Sequence, residues 1–340
     1  MRKFTLLLSC IQNFELINPV FNIQSATNFN KKALEIFQFQ AANNSVYKTF
    51  LSHLKTDISA VKTIEEIPFL PIQFFKTHQI LSSEKTIQKT FLSSGTTGMT
   101  QSKHLVTDLS LYEESYLKGF KHFYGNIENY TVLALLPSYL ERDGSSLIYM
   151  VDDLIKKSKK PKSGFYLHNL SDLAETITEL DKKGEKTLLI GVSFALLDLV
   201  ENYQFNNLKN IFIMETGGMK GRRKELIREE LHSILCEGFG VSEIHSEYGM
   251  TELLSQAYSK GNGIFKCPPW MKILIRDTED ALTLLPKGKS GGINVIDLAN
   301  VNSCSFIATQ DLGKKRPDNS FEIIGRFDNS DIRGCNLLVL

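Results

Sequence analysis

The chain lacks a dominant charge: Lys and Arg number 39 against 38 Asp and Glu over 340 residues. With no long-range field, neither nucleic acid nor an anionic membrane is an expected partner. It also lacks a long hydrophobic run. No stretch approaches the ~18 to 20 uninterrupted apolar residues of a membrane span. The start, Arg2-Lys3 followed by Phe4-Thr5-Leu6-Leu7-Leu8 and then Ser9-Cys10, has the look of a secretion or lipoprotein signal. Its apolar run is shorter than the roughly 7 to 15 residues such a signal needs, so it reads as ordinary folded chain. Cysteines are few, odd in number and scattered (Cys10, Cys236, Cys267, Cys304, Cys335). That excludes a disulfide framework and predicts reduced thiols in a cytoplasmic protein. The mononucleotide pattern G-x-x-x-x-G-K-[ST] is missing as well. Gly288-Lys289-Ser290 comes nearest but has Thr283 where the first glycine belongs. There is no internal repeat and no low-complexity linker.

What is there is 42% hydrophobic, enough for a real core in one large domain or two ordinary ones. Residues 1–90 are rich in Phe, Lys and Asn, with short helical patterns at Lys31 to Phe39 and Val46 to Leu54. They are expected to form an N-terminal helical segment packed on a main body, 91–340, that is one continuous unit. From Thr131 onward, β-branched or Leu-rich runs alternate with helical spacing, which predicts a parallel sheet flanked by helices. Thr131 to Leu136, Thr187 to Ile190 and Asn210 to Met214 are the expected strands; Ser193 to Tyr203 and Lys220 to Glu237 are the expected helices. After Trp270, short runs split by Pro, Gly and Lys turns predict antiparallel strands at Met271 to Arg276, Leu282 to Leu285, Gly292 to Asp297, Ser305 to Thr309 and Ser320 to Ile324. The fold class is therefore α/β with a β-rich C-terminal section.

Chemistry concentrates in a few segments. Phe91-Leu92-Ser93-Ser94-Gly95-Thr96-Thr97-Gly98 sets hydroxyls among glycines after an apolar pair. Glycines let backbone N–H groups turn into a concavity and hydroxyls add donors, so the loop suits phosphate oxygens; a polar surface turn is the plain alternative. Ile213-Met214-Glu215-Thr216-Gly217-Gly218 follows an apolar strand and opens a basic helix, where ligands meet the C-terminal ends of parallel strands, though a simple strand-to-helix turn reads the same. Ser246-Glu247-Tyr248-Gly249-Met250-Thr251-Glu252 gathers a ring for a purine, a hydroxyl for a phosphate and a carboxylate for Mg²⁺. Thr309-Gln310-Asp311 and Gly325-Arg326-Phe327-Asp328 each put an acid beside a turn, able to accept from ribose hydroxyls, with Arg326 available to oxygens.

In that order, across residues 91 to 328, the set resembles the adenylate-forming enzymes, the superfamily of acyl-CoA synthetases, luciferases and peptide-synthetase adenylation domains. The resemblance implies that superfamily's N-terminal domain. It implies that Ser93, Ser94, Gly95, Thr96, Thr97 and Gly98 embrace the ATP phosphates, with Lys103 displaced from the position a loop lysine usually takes. Gly217, Gly218, Tyr248 and Gly249 would border the nucleotide, Thr251 would touch the α-phosphate, Glu252 would bind Mg²⁺, and Asp311 with Arg326 would hold the ribose. The chain ends twelve residues after Asp328, so the usual mobile C-terminal domain with its catalytic lysine is expected to be lacking.

Within the superfamily, Pro137-Ser138-Tyr139-Leu140-Glu141-Arg142, Ser145-Ser146-Leu147 and the ending Arg333-Gly334-Cys335-Asn336-Leu337 resemble the LuxE-type acyl-protein synthetases, with phenylacetate-CoA ligases as near relatives. This implies activation of a fatty or other carboxylic acid to acyl-AMP, then transfer to Cys335 and onward to an acyl-accepting reductase or carrier protein. Transfer to coenzyme A, and a non-catalytic nucleotide- or acyl-binding protein on the same fold, are the competing readings. Leu133, Leu135, Leu136, Tyr139 and Leu147 could line an acyl tunnel or be plain core.

Overall fold

Backbone polarity and apolar patterning together send this chain into one twelve-stranded mixed sheet with helices against it. The structure is a computed structural model describing residues 20–94, 100–137, 144–217 and 226–327. Its strands are β1 (Leu70–Pro71), β2 (Lys89–Leu92), β3 (Lys103–Val106), β4 (Thr131–Leu135), β5 (Gly164–Phe165), β6 (Thr187–Gly191), β7 (Ile211–Thr216) and β8 (His245–Tyr248), followed by β9 (Ala257–Ser259), β10 (Ile264–Lys266), β11 (Met271–Arg276), β12 (Ser290–Asp297), β13 (Phe306–Lys315) and β14 (Phe321–Arg326). The sheet order is β11-β12-β13-β14-β10-β9-β8-β7-β6-β4-β5, with β1 beside β13.

The half from β5 to β8 is parallel. Every residue of β4 and β6 is buried, as strands covered on both faces require. The helices Ser146–Ser158, Leu170–Lys182, Ser193–Asn202 and Arg228–Phe239 connect them. Ser145 starts the first by accepting from the Ile148 amide, and Asn169 starts the second by accepting from that of Asp172. From β8 to β11 the pairings are antiparallel, except that β1 runs parallel to β13. β2 and β3 form a separate hairpin.

The N-terminal helices Ala26–Asn43 and Ser45–His53 are fastened to this antiparallel half. Buried Gln40 donates to the carbonyls of Asn300 and Val301 and accepts from the Ser305 amide. Phe37, Tyr47 and Phe69 surround the ring of Phe306, with centroids 6.0, 6.3 and 6.2 Å away. No described helix is long and apolar enough to cross a membrane.

The structure departs from the sequence expectations at several points. Leu282 to Leu285 is a turn with a single bridge from Leu284 to Arg276, because Asp280 accepts from Leu282 and Thr283 and folds the segment back. The helix expected from Lys220 begins, among the described residues, at Arg228; Ile227 is its N-cap and 69% exposed. β13 and β14 run past their expected ends, through Lys315 and Arg326. Leu133, Leu135 and Leu136 are fully packed core, and Tyr139 lies outside the described residues.

Candidate active site

The β2–β3 hairpin carries the hydroxyl-rich loop and closes its neck with three bonds. The Ser93 amide donates to the Ser102 carbonyl at 3.1 Å, the Ser102 amide donates to Ser93 Oγ at 2.9 Å, and Gln101 Nε2 donates to the Ser93 carbonyl at 2.8 Å. Ser94 is exposed beyond that neck and Lys103 is exposed where β3 begins. Gly95, Thr96, Thr97 and Gly98 lie outside the described residues, as do Gly218 and Cys335.

Directly below the neck sits Glu252. It is 5% exposed, and burial holds its carboxyl above the usual glutamate range while a hydrogen bond from the Ser102 side chain works against that. Its backbone is pinned by residues far away in sequence. Buried His104, next to Lys103 on β3, places Nδ1 2.8 Å from the Thr251 carbonyl and Nε2 3.0 Å from Asn300 Oδ1. Asn300 Nδ2 in turn donates to the Glu252 carbonyl at 2.8 Å. One histidine and one asparagine thus fix both peptide carbonyls of Thr251-Glu252, and burial pushes the imidazole down to about 4.

Tyr248, Asp311 and Arg326 meet beside this loop. The Tyr248 hydroxyl donates to Asp311 Oδ2 at 2.7 Å, and Arg326 Nε lies 3.0 Å from Asp311 Oδ1. Asp311 and Arg326 are direct partners on β13 and β14, and β8 brings Tyr248 to them. Burial and the charge of Asp311 push the Tyr248 phenol well up, so it stays a donor. Both Asp311 and Arg326 act on the Glu252 carboxyl electrostatically, in opposite senses. The side chain of Arg326 is 72% exposed and available to an incoming anion.

The turn after β7 lies on the other side of β8. Gly217 has φ +77°, a left-handed conformation suited to glycine, and its carbonyl accepts from Ser193 Oγ at 2.7 Å. Two acids flank it. Glu215 is 3.6 Å from His232 Nε2 and 3.8 Å from Arg228 Nε. Glu247 accepts from the Thr216 hydroxyl at 2.7 Å, and burial, with Glu215 adding to it, raises its carboxyl to about 7. A Cβ at Gly249 would stand 2.4 Å from Glu247 Oε1, so this glycine leaves the carboxyl its place. His245, on the same strand, is pushed down to about 4 by burial and Lys260.

Of the residues expected from sequence, the structure groups Ser93, Thr251, Glu252, Tyr248, Asp311 and Arg326 around one end of the sheet, with Gly217 and Gly249 alongside; Lys103 is exposed between Ser102 and His104, on the opposite face of the hairpin from the side chains that meet Thr251 and Glu252. Sequence reasoning missed Ser102, His104 and Asn300, the groups that hold Glu252 in place. The fit to a divalent cation turns on Glu252: a buried hard-oxygen donor whose desolvation a cation would offset. The described residues contain no group of three or more His, Cys, Asp or Glu able to hold a metal.

The family model described as acyl-protein synthetase, LuxE, matches residues 20–115 and 165–340. A long-chain-fatty-acid--luciferin-component ligase of Vibrio harveyi is 23% identical over 325 residues, which cover 88% of this chain and 84% of that relative. Among solved structures, ATP-bound MatB from Rhodopseudomonas palustris superposes with a TM-score of 0.55 at 16% identity, over 72% of this chain and 49% of MatB. This chain thus spans about half the length of MatB. An open conformation of 2-hydroxyisobutyryl-CoA ligase, in complex with 2-HIB-AMP and CoA, gives a TM-score of 0.60 at 12% identity, over 90% of this chain and 72% of that ligase. At such identities these two likenesses speak to the fold, that of adenylate-forming enzymes.

Proposed function

The chain belongs to the LuxE acyl-protein synthetase family, and from that premise we propose that it activates a carboxylic acid, of the fatty class, with Mg-ATP and passes the acyl group to a thiol. The observation that carries this reading is the meeting of Tyr248, Asp311 and Arg326 beside the Ser102-bonded carboxyl of Glu252.

In the first step a carboxylate oxygen attacks the α-phosphorus of ATP, and the bond to the leaving pyrophosphate breaks, giving acyl-AMP. Two anions must approach, so oriented donors and positive charge supply most of the rate. Ser93, Ser94, Gly95, Thr96, Thr97 and Gly98 would donate to the phosphates, with Lys103 the cation at the loop's base. Gly217, Gly218, Tyr248 and Gly249 would border adenine, and Asp311 with Arg326 would accept and donate at the ribose. Thr251 would donate to the α-phosphate, and Glu252 would hold Mg²⁺, which supplies charge neutralisation at the phosphates when bound. His104 and Asn300 orient both residues.

In the second step a thiolate attacks the acyl carbon, the C–O bond to AMP breaks, and AMP leaves. Thiols need only modest activation near neutral pH, and Cys335 is the proposed nucleophile, relaying the acyl group to a reductase or carrier protein. The fold likeness to a ligase crystallised with CoA supports a second reading, in which coenzyme A accepts directly.

The test incubates the protein with Mg-ATP and a panel of fatty and aryl acids, follows pyrophosphate release, and weighs the intact wild type and Cys335→Ser. Release together with an acyl adduct that disappears in Cys335→Ser is the expected result. Turnover that requires added CoA and leaves no adduct moves the assignment to a CoA ligase, and absence of release with every acid refutes acid activation.

A further inference from the structure

The carboxylate proposed to hold ribose sits in an irregular stretch of sheet. Gly292 pairs with Leu312 and Asn294 pairs with Ala308, so Ile293 alone on β12 faces Thr309, Gln310 and Asp311 on β13. A second shift follows on the β14 side, between Leu312 and Gly313. Such a bulge bends the strand, re-aims side chains and takes carbonyls out of the ladder. A buried carbonyl without a donor is costly, so the gap between β12 and β13 needs a group that can fill it.

Arg276, the last residue of β11, is that group. Its side chain reaches across β12 and is 8% exposed. Nη1 donates to the Ile293 carbonyl and to Asn294 Oδ1, both at 2.8 Å, and Nη2 donates to the Thr309 carbonyl at 2.5 Å. The guanidinium therefore bridges the two strands where their own hydrogen bonding lapses. Thr309 Oγ1 donates to the Ile293 carbonyl at 2.9 Å and accepts from the Asp311 amide at 3.1 Å, which ties Asp311 to the same knot. Phe327, whose amide donates to the Gln310 carbonyl, lies with its ring 5.5 Å from the guanidinium carbon. Gly292 makes room: a Cβ there would lie 2.5 Å from Cζ of Arg276. A planar fork of donors meets this set of acceptors in a way that a single ammonium cannot.

We propose that Arg276 is a positioning residue for the nucleotide: by bridging the β12–β13 bulge it fixes the backbone of Thr309-Gln310-Asp311 and so aims the Asp311 carboxylate at the ribose hydroxyls. The inference rests on the reading of Asp311 as the ribose acceptor. Arg276 touches no substrate in this scheme. It acts through Asp311, and Tyr248 steadies that carboxylate from its other side.

A ratio of affinities separates aiming from mere stabilisation. Dissociation constants for ATP and for 2′,3′-dideoxy-ATP, which lacks both ribose hydroxyls, are measured on wild type, Asp311→Asn, Arg276→Lys, Arg276→Met and Gly292→Ala. Wild type is expected to prefer ATP by about tenfold or more, the scale of a hydrogen bond to a charged group. Asp311→Asn and Arg276→Met should reduce that preference to about threefold or less, and Arg276→Lys should fall between. Gly292→Ala, which keeps the arginine and displaces its guanidinium, should behave like Arg276→Met, and it carries the test if Arg276→Met fails to fold. If wild type shows no preference, the ribose reading of Asp311 falls and this inference with it. If Asp311→Asn loses the preference while Arg276→Lys and Gly292→Ala keep it in full, Arg276 is only a structural plug and the inference alone is overturned.

Discussion

His104 makes the fold acid-sensitive in a way that can be isolated. The ring is 1% exposed, edge-on to Phe75 at 5.8 Å, and lies between the Thr251 carbonyl and Asn300 Oδ1. Burial disfavours the imidazolium and lowers the group from 6.5 to about 4, outweighing two oxygen contacts that favour the charged form. Above pH 6.5 the ring is neutral whether the chain is folded or not, and it contributes no pH dependence. Between pH 6.5 and 4 the unfolded chain binds a proton that the folded protein refuses, so stability falls as pH falls through that window. The full depression corresponds to about 3 kcal/mol, of which roughly 2 is reached by pH 4.5. Urea unfolding of wild type and His104→Gln at pH 7.5 and 4.5 gives the effect as a difference of differences. Asp297 and Glu247, raised by burial to about 6 and 7, titrate over the same range but are common to both proteins and cancel. Wild type should lose about 2 kcal/mol more than the variant on acidification, and its ring proton should titrate near pH 4 in an NMR pH series. Equal losses would refute the buried neutral ring. A larger loss in the variant would mean an imidazolium donating from both nitrogens.

Three further outcomes follow from the same contacts. Glu252→Gln should lower pyrophosphate release by about 100-fold or more without unfolding the protein, checked by release kinetics beside circular dichroism, because it removes the buried anion proposed for Mg²⁺. Gln40→Ala strands the Ser305 amide and the carbonyls of Asn300 and Val301, and should cost about 2 to 4 kcal/mol in chemical denaturation. Glu247→Gln should stabilise the protein at pH 8 by about 3 kcal/mol, since a glutamate raised to about 7 loses folded-state stability as pH rises from 4.5 through 7; the gain should shrink toward zero near pH 4.5 in the same denaturation assay.

Most of what is contiguous in this chain was legible in its sequence. The apolar runs of β4, β6, β7 and β11 announce strands through composition alone, and the hydroxyl-glycine loop, Tyr248 to Glu252, Asp311 and Arg326 lie in short motifs whose order pointed to one site. The groups that hold that site were not legible. His104 reaches Thr251 across 147 residues and Asn300 across 196, and Gln40 reaches Asn300 across 260. Nothing local marks such residues, because their partners are set by which strands the topology makes neighbours.

The end of β13 shows the same limit from the other direction. Gln310-Asp311-Leu312-Gly313-Lys314-Lys315 has too little apolar alternation to read as a strand and reads instead as the turn that ends one. It stays in the sheet because β14 pairs with it from Asp311 to Lys315 and because Arg276 bonds to the Thr309 carbonyl just before it. Along this end of β13 the polar Asp311 and Lys315 are buried while the apolar Leu312 is only partly so, which removes the alternation that would announce a strand. Its signal is displaced onto its supports: a glycine at 292 that leaves room and an arginine at 276 that fills it.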